Sequence, residues 1–216
     1  MIKLYSYFRS SACYRVRIAL HYKGLPFQTI PVPLLKNGGE QKKPDYLSLN
    51  PQGLVPYLID GEHGISQSLA ILEYLEQMHP EPALLPAGAA DRAYVRSIAQ
   101  AIACDIHPLN NLRVLNYLKD NLAAGEPEKM LWYRHWCKVG LEALEAQLQQ
   151  VQKAGRFCLG DAPTLADVCL VPQWFNAQRF DVDLRACSRL AQIVNNCATL
   201  EAFSAAAPGV QPDAQN

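Results

Sequence analysis

Apolar and polar residues alternate over residues 2–7, and the segment is rich in Ile, Leu and Tyr, the period and composition of a short strand. The period then changes. Val16, Ala19 and Leu20 recur at helical spacing behind Ser10 and Ser11, whose hydroxyls can cap a helix start, and Gly24 with Pro26 supplies the stop. Residues 27–32 return to strand character and complete a β-α-β unit with a short first helix. Residues 36–45 are polar with two glycines and read as a surface loop or short helix. Leu54–Ile59 is a further strand, Asp60–Gly64 a hairpin turn, and Ile65-Ser66 starts a brief partner strand. Gln67-Ser68 then opens a helix to about Gln77, with Leu69, Leu72 and Leu75 on its inner side.

The resulting order, β-α-β-α-β-β-α, is the thioredoxin-like arrangement. Pro80, Pro82 and Pro86 mark a linker, after which the pattern is helical almost throughout: 91–122, 128–154, 165–177, and a shorter helix around 186–206. No strand pattern reappears. The tail from Ala207 to Asn216, with Pro208, Pro212 and polar residues, reads as loosely ordered. The expected organisation is an α/β thioredoxin-like domain over 1–80, a linker over 81–90 and an all-α domain over 91–216.

Composition narrows the function classes. Half of the 216 residues are hydrophobic, enough for a packed core. The 20 basic and 20 acidic residues cancel, which removes the basic excess that nucleic-acid binding uses and the net charge that drives disorder. Apolar runs break within about ten residues, short of a membrane span, and the N-terminus lacks the pattern of a signal peptide, so a cytoplasmic protein is expected. The seven cysteines are scattered and form no C-x-x-C pair. They read as small buried hydrophobes in a reducing compartment, with no metal site.

Four local features carry chemistry. Pro56, at the start of a strand in this context, reads either as an edge-strand proline or as a cis-proline that exposes the backbone of Val55 to an extended ligand. Gln67-Ser68 at a helix start reads as a simple cap or as a carboxylate seat, because free N–H groups and the helix dipole attract anions there. Together the two would cradle a peptide-like ligand. Ser10 and Ser11 sit where the first strand turns into the first helix. Beyond capping, a hydroxyl and backbone N–H groups there can stabilise a thiolate that a ligand brings. Cys13, one turn into that helix, offers a rival reading as a protein nucleophile. Thr164-Leu165-Ala166-Asp167 has the spacing of a capping box and makes Asp167 structural.

These residues resemble the zeta class of glutathione S-transferases, whose members include maleylacetoacetate isomerase. The likeness rests on Tyr5-Ser6-Tyr7-Phe8-Arg9-Ser10-Ser11 followed by Arg15-Val16-Arg17-Ile18-Ala19-Leu20, and on Asn50-Pro51, Val55-Pro56 and Gln67-Ser68-Leu69-Ala70-Ile71. Leu84-Leu85-Pro86, Leu170-Val171-Pro172-Gln173 and Arg179-Phe180-Asp181-Val182-Asp183-Leu184 extend it over nearly the whole chain. The family often has Ser-Ser-Cys; here Ala12 holds the third place and the cysteine follows as Cys13. Cys104 to Asn111 is similar to the related glutathione-dependent maleylpyruvate isomerases.

The resemblance implies the cytosolic glutathione transferase fold, a homodimer, and glutathione as cofactor, held by Ser10, Ser11, Gln41, Val55, Pro56, Gln67 and Ser68 with His107 and Asn111. It implies a cis–trans isomerase of a maleyl keto acid, working by reversible thiolate addition. Ser10, Ser11 and Arg9 are the catalytic candidates, and Arg9, Arg113 and Arg179 would bind the substrate's carboxylates. Arg113 is expected on the first long helix, six residues after His107. A general glutathione transferase and a non-enzymatic interaction module are the competing readings. The first would require an apolar pocket. The second has no use for Ser10-Ser11 and Gln67-Ser68.

Overall fold

The computed structural model describes residues 1–215, which form two compact units: Met1–Ala83 together with the chain from Thr199 onward, and Leu84–Ala198.

The first unit holds β1 (Ile2–Ser6), α1 (Ser11–Tyr22), β2 (Phe27–Pro31), α2 (Pro44–Leu49), β3 (Tyr57–Asp60), β4 (His63–Ser66) and α3 (Ser68–Met78). Its sheet runs β2-β1-β3-β4, with β1 parallel to β2 and antiparallel to β3, and with β3 and β4 joined as a hairpin. Alternation along β1 buries Ile2, Leu4 and Ser6 and leaves Lys3 in solvent. Leu4 pairs with Leu58, and both are fully buried in the core that Val16 and Leu20 of α1 and Ile71, Leu72 and Leu75 of α3 complete. Ile71, rather than the expected Leu69, shares the inner face of α3. The strand expected from Leu54 starts at Tyr57, because the Leu54 carbonyl is taken by the side chains of Tyr46 (2.6 Å) and Asn50 (2.7 Å).

The C-terminal segment differs from expectation. It groups with the first unit, not with the helices of 84–198, and it is built: a one-turn helix at Glu201–Ala205, then 3-10 turns at Pro208–Val210 and Pro212–Gln215. Buried polar groups hold it. Tyr14 donates to the carbonyl of Phe203 (3.2 Å), Arg17 Nε to that of Ala206 (3.0 Å), and buried Gln211 to those of Ala205 and Ala207. Asn216 lies outside the described residues.

The second unit is helical: α4 (Ala89–Gln100), a π-helical turn at Ala101–Ile106, α5 (His107–Leu109), α6 (Leu112–Leu122), α7 (Glu126–Val151), α8 (Leu165–Arg179) and α9 (Ser188–Ala198). The single helix expected over 91–122 breaks at Asn110-Asn111, where the Asn111 side chain accepts from the N–H of Arg113 (3.0 Å) and caps a new start. The helix expected over 186–206 divides likewise, between Ala198 and Glu201. Every position of α8 from Leu165 to Trp174 is buried, and all but Asp167 and Gln173 are apolar, the pattern of a helix enclosed on all sides. The capping box forms at its start. The fully buried Asp167 carboxylate accepts from Thr164 N (2.7 Å), Thr164 Oγ1 (2.8 Å) and Cys158 N (2.8 Å).

A close approach fixes the π-helical turn against α7. A Cβ placed on Gly140 would collide with Cγ1 and Cδ1 of Ile106, so only glycine fits there. Alanine would gain about 1 kcal/mol of helix propensity but lose about 1–3 kcal/mol to overpacking. Gly140→Ala is therefore expected to lower the urea midpoint, and adding Ile106→Ala should cost less in that background than in the wild type. A stabilised Gly140→Ala would contradict the contact.

Candidate active site

The register of the first unit gathers residues far apart in sequence. Tyr5 pairs with Tyr57 and Tyr57 with Ser66, while Ser6 pairs with Pro31. The C-terminal ends of β1, β2 and β4 and the entry to β3 thus lie at one end of the sheet. Four connections meet there: Tyr7–Ser10, the loop after β2 that carries Gln41, the Val55-Pro56 step, and Gln67. Gly53 (φ +61°) lets the Gln41 loop close on this end, since a Cβ there would lie 3.2 Å from the Gln41 carbonyl oxygen. Both α1 and α3 start at this end, which directs their positive ends toward it. Arg9, Ser10, Ser11, Gln41, Val55, Pro56, Gln67 and Ser68 are all brought here.

Ser10 is the N-cap of α1, its Oγ accepting from the N–H of Cys13 at 3.2 Å. Accepting that bond leaves its own proton free to donate, so capping and thiolate stabilisation are compatible. Ser11 is buried in the first turn. Arg9 is exposed, with its guanidinium 4.7 Å above the ring of Phe8. Cys13 is fully buried, and burial pushes its thiol up against the opposing pull of Arg17 and Ser10. That leaves the rival reading of Cys13 as a nucleophile without support.

The Val55-Pro56 bond is cis. Gln67 has φ +70°, a region that costs a non-glycine residue on the order of 1–3 kcal/mol, and its amide donates to Gln52 (2.8 Å). Ser68 does not cap α3 as a simple cap would. It lies inside the first turn, and its Oγ accepts from Arg15 Nη1 at 3.1 Å. Buried Arg15 thus adds a positive charge behind a helix start, a contribution that sequence reasoning missed. Its signal was a pair of arginines two residues apart in an otherwise apolar helix.

Gln41 is 8 % exposed, yet its Oε1 meets no donor among the described residues. A buried acceptor without a donor costs about 1–3 kcal/mol, so this position suits a ligand N–H. Tyr46 and Asn50, by holding the Leu54 carbonyl, fix the approach to Val55. The Asn50-Pro51 turn was the only sequence trace of this.

The other candidates belong to the second unit. His107 follows the π-helical turn, a feature common at functional sites, and its Nε2 lies 3.4 Å from the Asn111 amide. Arg113 is not on the helix of His107. It is exposed in the first turn of α6, beyond the break that Asn111 makes. Arg179 is exposed at the end of α8, with its guanidinium 4.7 Å above Phe180. Asn110, passed over in favour of its neighbour, has both amide atoms buried without a partner among the described residues. The doublet of asparagines was the available signal. Among the described residues no group of three His, Cys, Asp or Glu could hold a metal ion, and no helix is long and apolar enough to cross a membrane.

Comparison with known proteins decides the family. The model of the glutathione S-transferase N-terminal domain matches residues 4–83. A probable maleylacetoacetate isomerase from Vibrio cholerae is 49 % identical, over 98 % of this chain and 97 % of its own. The solved holo structure of a maleylpyruvate isomerase, a bacterial glutathione S-transferase of the zeta class, superposes with a TM-score of 0.95 at 45 % identity, covering 98 % of this chain and 99 % of the other. The chain belongs to the zeta class of glutathione S-transferases. A maleylacetoacetate isomerase from Methylobacterium extorquens AM1, solved with bound malonate and glutathione, also superposes at 0.95, with 40 % identity over 98 % of this chain and 99 % of its own. The α/β first unit and helical second unit are the expected fold of this class.

Six of the seven cysteines of this zeta-class chain are buried and Cys104 is exposed. Dithionitrobenzoate is therefore expected to label one thiol rapidly in the native protein at pH 8. Cys104→Ser should abolish that phase and Cys13→Ala should leave it intact. Rapid labelling of Cys13 would contradict its burial.

Proposed function

We propose that this protein is a glutathione-dependent cis–trans isomerase of a maleyl keto acid, converting maleylacetoacetate to fumarylacetoacetate. The observation that carries this reading is the gathering, at one end of the sheet, of Ser10 at the start of α1, the buried acceptor of Gln41, and the Ser68–Arg15 pair at the start of α3. These residues fit a γ-glutamyl tripeptide. Ser68 and the α3 N-terminus suit a carboxylate, Gln41 Oε1 suits an N–H, and the backbone of Val55 suits an extended peptide. Ser11, Pro56 and Gln67 complete the first unit's share. We assign His107 and Asn111 of the second unit to the cofactor as well, on the family likeness.

When bound, glutathione would supply a thiolate whose reversible addition to the conjugated double bond, with the displaced electron pair held on the neighbouring carbonyl as an enolate, leaves a single bond free to rotate; return of that pair would expel the thiolate and restore the double bond in the trans form. The chain's task is electrostatic. The Ser10 hydroxyl donates to the sulfur anion and holds the thiol ionised, aided by the α1 dipole. Arg9, with Arg113 and Arg179, binds the carboxylates of the substrate, because a planar guanidinium can hold both oxygens of each. Three arginines also make a poor lining for the apolar electrophiles of a general transferase. The protein is further read as a homodimer of the cytoplasm. Its seven free cysteines support a reducing compartment.

A second substrate reading, maleylpyruvate, is supported by the Cys104 to Asn111 segment and by the maleylpyruvate isomerase among the structural relatives. Spectrophotometric assays with glutathione and either maleylacetone or maleylpyruvate separate the two. Turnover of neither by micromolar enzyme would sink the isomerase reading.

The role of Ser10 is tested with Ser10→Gly, which removes the hydroxyl yet costs the cap only a few tenths of a kcal/mol. Turnover is expected to fall about 100-fold, the effect of removing one preorganised donor. Survival of activity in Ser10→Gly, with loss in Cys13→Ala, would move the thiolate role to Cys13.

A further inference from the structure

The segment Tyr7–Ser10 carries both Arg9 and Ser10, and it is gripped from behind by residues that the proposed chemistry does not use. Phe8 is held on both of its backbone groups. Its N–H donates to the carboxylate of Asp213 at 2.9 Å, and its carbonyl accepts from Arg17 Nη2 at 3.0 Å. Arg17 is fully buried and spends its other donors on two further segments: Nη1 on Ser6 Oγ (3.1 Å) at the end of β1, and Nε on the Ala206 carbonyl (3.0 Å) in the C-terminal segment. One planar guanidinium therefore ties together the strand, the loop and the C-terminal segment, which lysine's single ammonium could not do with the same geometry. Burial pulls the Arg17 guanidinium down from its ordinary pKa, and the charge of Asp213 is among those that hold it protonated.

The C-terminal segment is itself built to present Asp213. Gln211 is buried and bonded to two carbonyls, Pro208 is buried, and the N–H of Ala214 donates to the Gln211 carbonyl at 3.0 Å. The grip on Phe8 reaches Arg9 through the ring, over which the Arg9 guanidinium sits, and reaches Ser10 through the peptide, where Ser10 N–H donates to the Tyr7 carbonyl at 2.9 Å.

We propose that Asp213 and Arg17 are positioning residues for catalysis: the C-terminal segment is a strap that fixes the Phe8 peptide and thereby holds Arg9 and the Ser10 hydroxyl in their working positions. The placement of this loop matters because hydroxyl-to-sulfur and guanidinium-to-carboxylate bonds lose strength within a fraction of an ångström. This inference rests on the isomerase reading only for its kinetic arm.

The test compares Asp213→Ala, Asp213→Asn and a chain ending at Gln211 with the wild type, by amide hydrogen exchange across residues 5–14, by the pH at which bound glutathione develops thiolate absorbance, and by turnover. Asparagine keeps an oxygen that can accept from the Phe8 N–H; alanine and the truncation do not. Asp213→Ala and the truncation are expected to speed exchange in the loop roughly 10-fold, with thermal midpoints little changed. They should also raise the pH of thiolate formation by about one unit and lower kcat roughly 10-fold. Asp213→Asn is expected to stay within about threefold of wild type in each measurement, the rescue that a merely structural charge would not give. Unchanged exchange and thiolate titration in Asp213→Ala would overturn the proposal, as would an asparagine variant as impaired as the alanine one. A wild type with no isomerase activity would overturn the functional reading alone, since exchange and titration still judge the strap.

Discussion

The register of β1 against β3, and of β3 against β4, is the constraint on which the rest depends. It sets Tyr5, Tyr57 and Ser66 side by side, so the loops that follow or precede them have no choice but to converge. A slip of one residue would turn Leu4 and Leu58 out of the core and separate the Val55-Pro56 step from Gln67. Burial of those two leucines contributes about 1.5–3 kcal/mol each. The unfavourable φ of Gln67 and the unsatisfied Gln41 acceptor each cost on the order of 1–3 kcal/mol. The site's local costs are thus of the same size as the core contacts beside it, and they persist because the sheet fixes the backbone independently of them.

The second organising feature is a set of charges inside the first unit. Arg15 and Arg17 lie two residues apart on α1, so their side chains leave the helix on nearly opposite sides. One reaches the start of α3, and the other the loop between β1 and α1. Lys23, just past the end of the same helix, is buried with Glu76 at 2.7 Å and donates to the carbonyls of His79 and Pro82. Buried ions are poor sources of net stability, because desolvation offsets much of their attraction. Their use here is geometric. Arg15 and Arg17 reach the hydroxyls of Ser68 and Ser6 at element ends, while Arg17 and Lys23 satisfy the carbonyls of Phe8, His79 and Pro82, which lie outside any strand or helix, and so define where those segments run.

This division explains what could be read from the sequence. The order of elements, the Ser10 cap and the Thr164–Asp167 box were legible because each depends on neighbours within a few residues. The seat of Ser68 was only half legible: its place at a helix start was plain, but the bond to Arg15 crosses 53 positions of chain. The C-terminal segment was misjudged for the same reason. Its prolines and polar residues have the composition of a frayed end, and the groups that order it, Phe8, Tyr14 and Arg17, lie near the opposite terminus. The break at Asn110-Asn111 was hidden because apolar periodicity continues across it, while the capping asparagine that causes it looks like any polar surface residue.

On the proposed function, the structural and chemical roles of Ser10 rest on one and the same bond. Its oxygen accepts from the Cys13 N–H, which fixes the hydroxyl rotor and polarises the O–H bond, so that the proton is a better donor than that of a free serine. Replacing the cap by some other device would leave the hydroxyl to reorient at the moment it is needed, and preorganisation is what makes such donors effective. Cys13 contributes to this site through its backbone while its sulfur stays buried. A cysteine at that position is therefore compatible with the proposed chemistry without taking part in it, and under that proposal the thiol that reacts is the one glutathione brings.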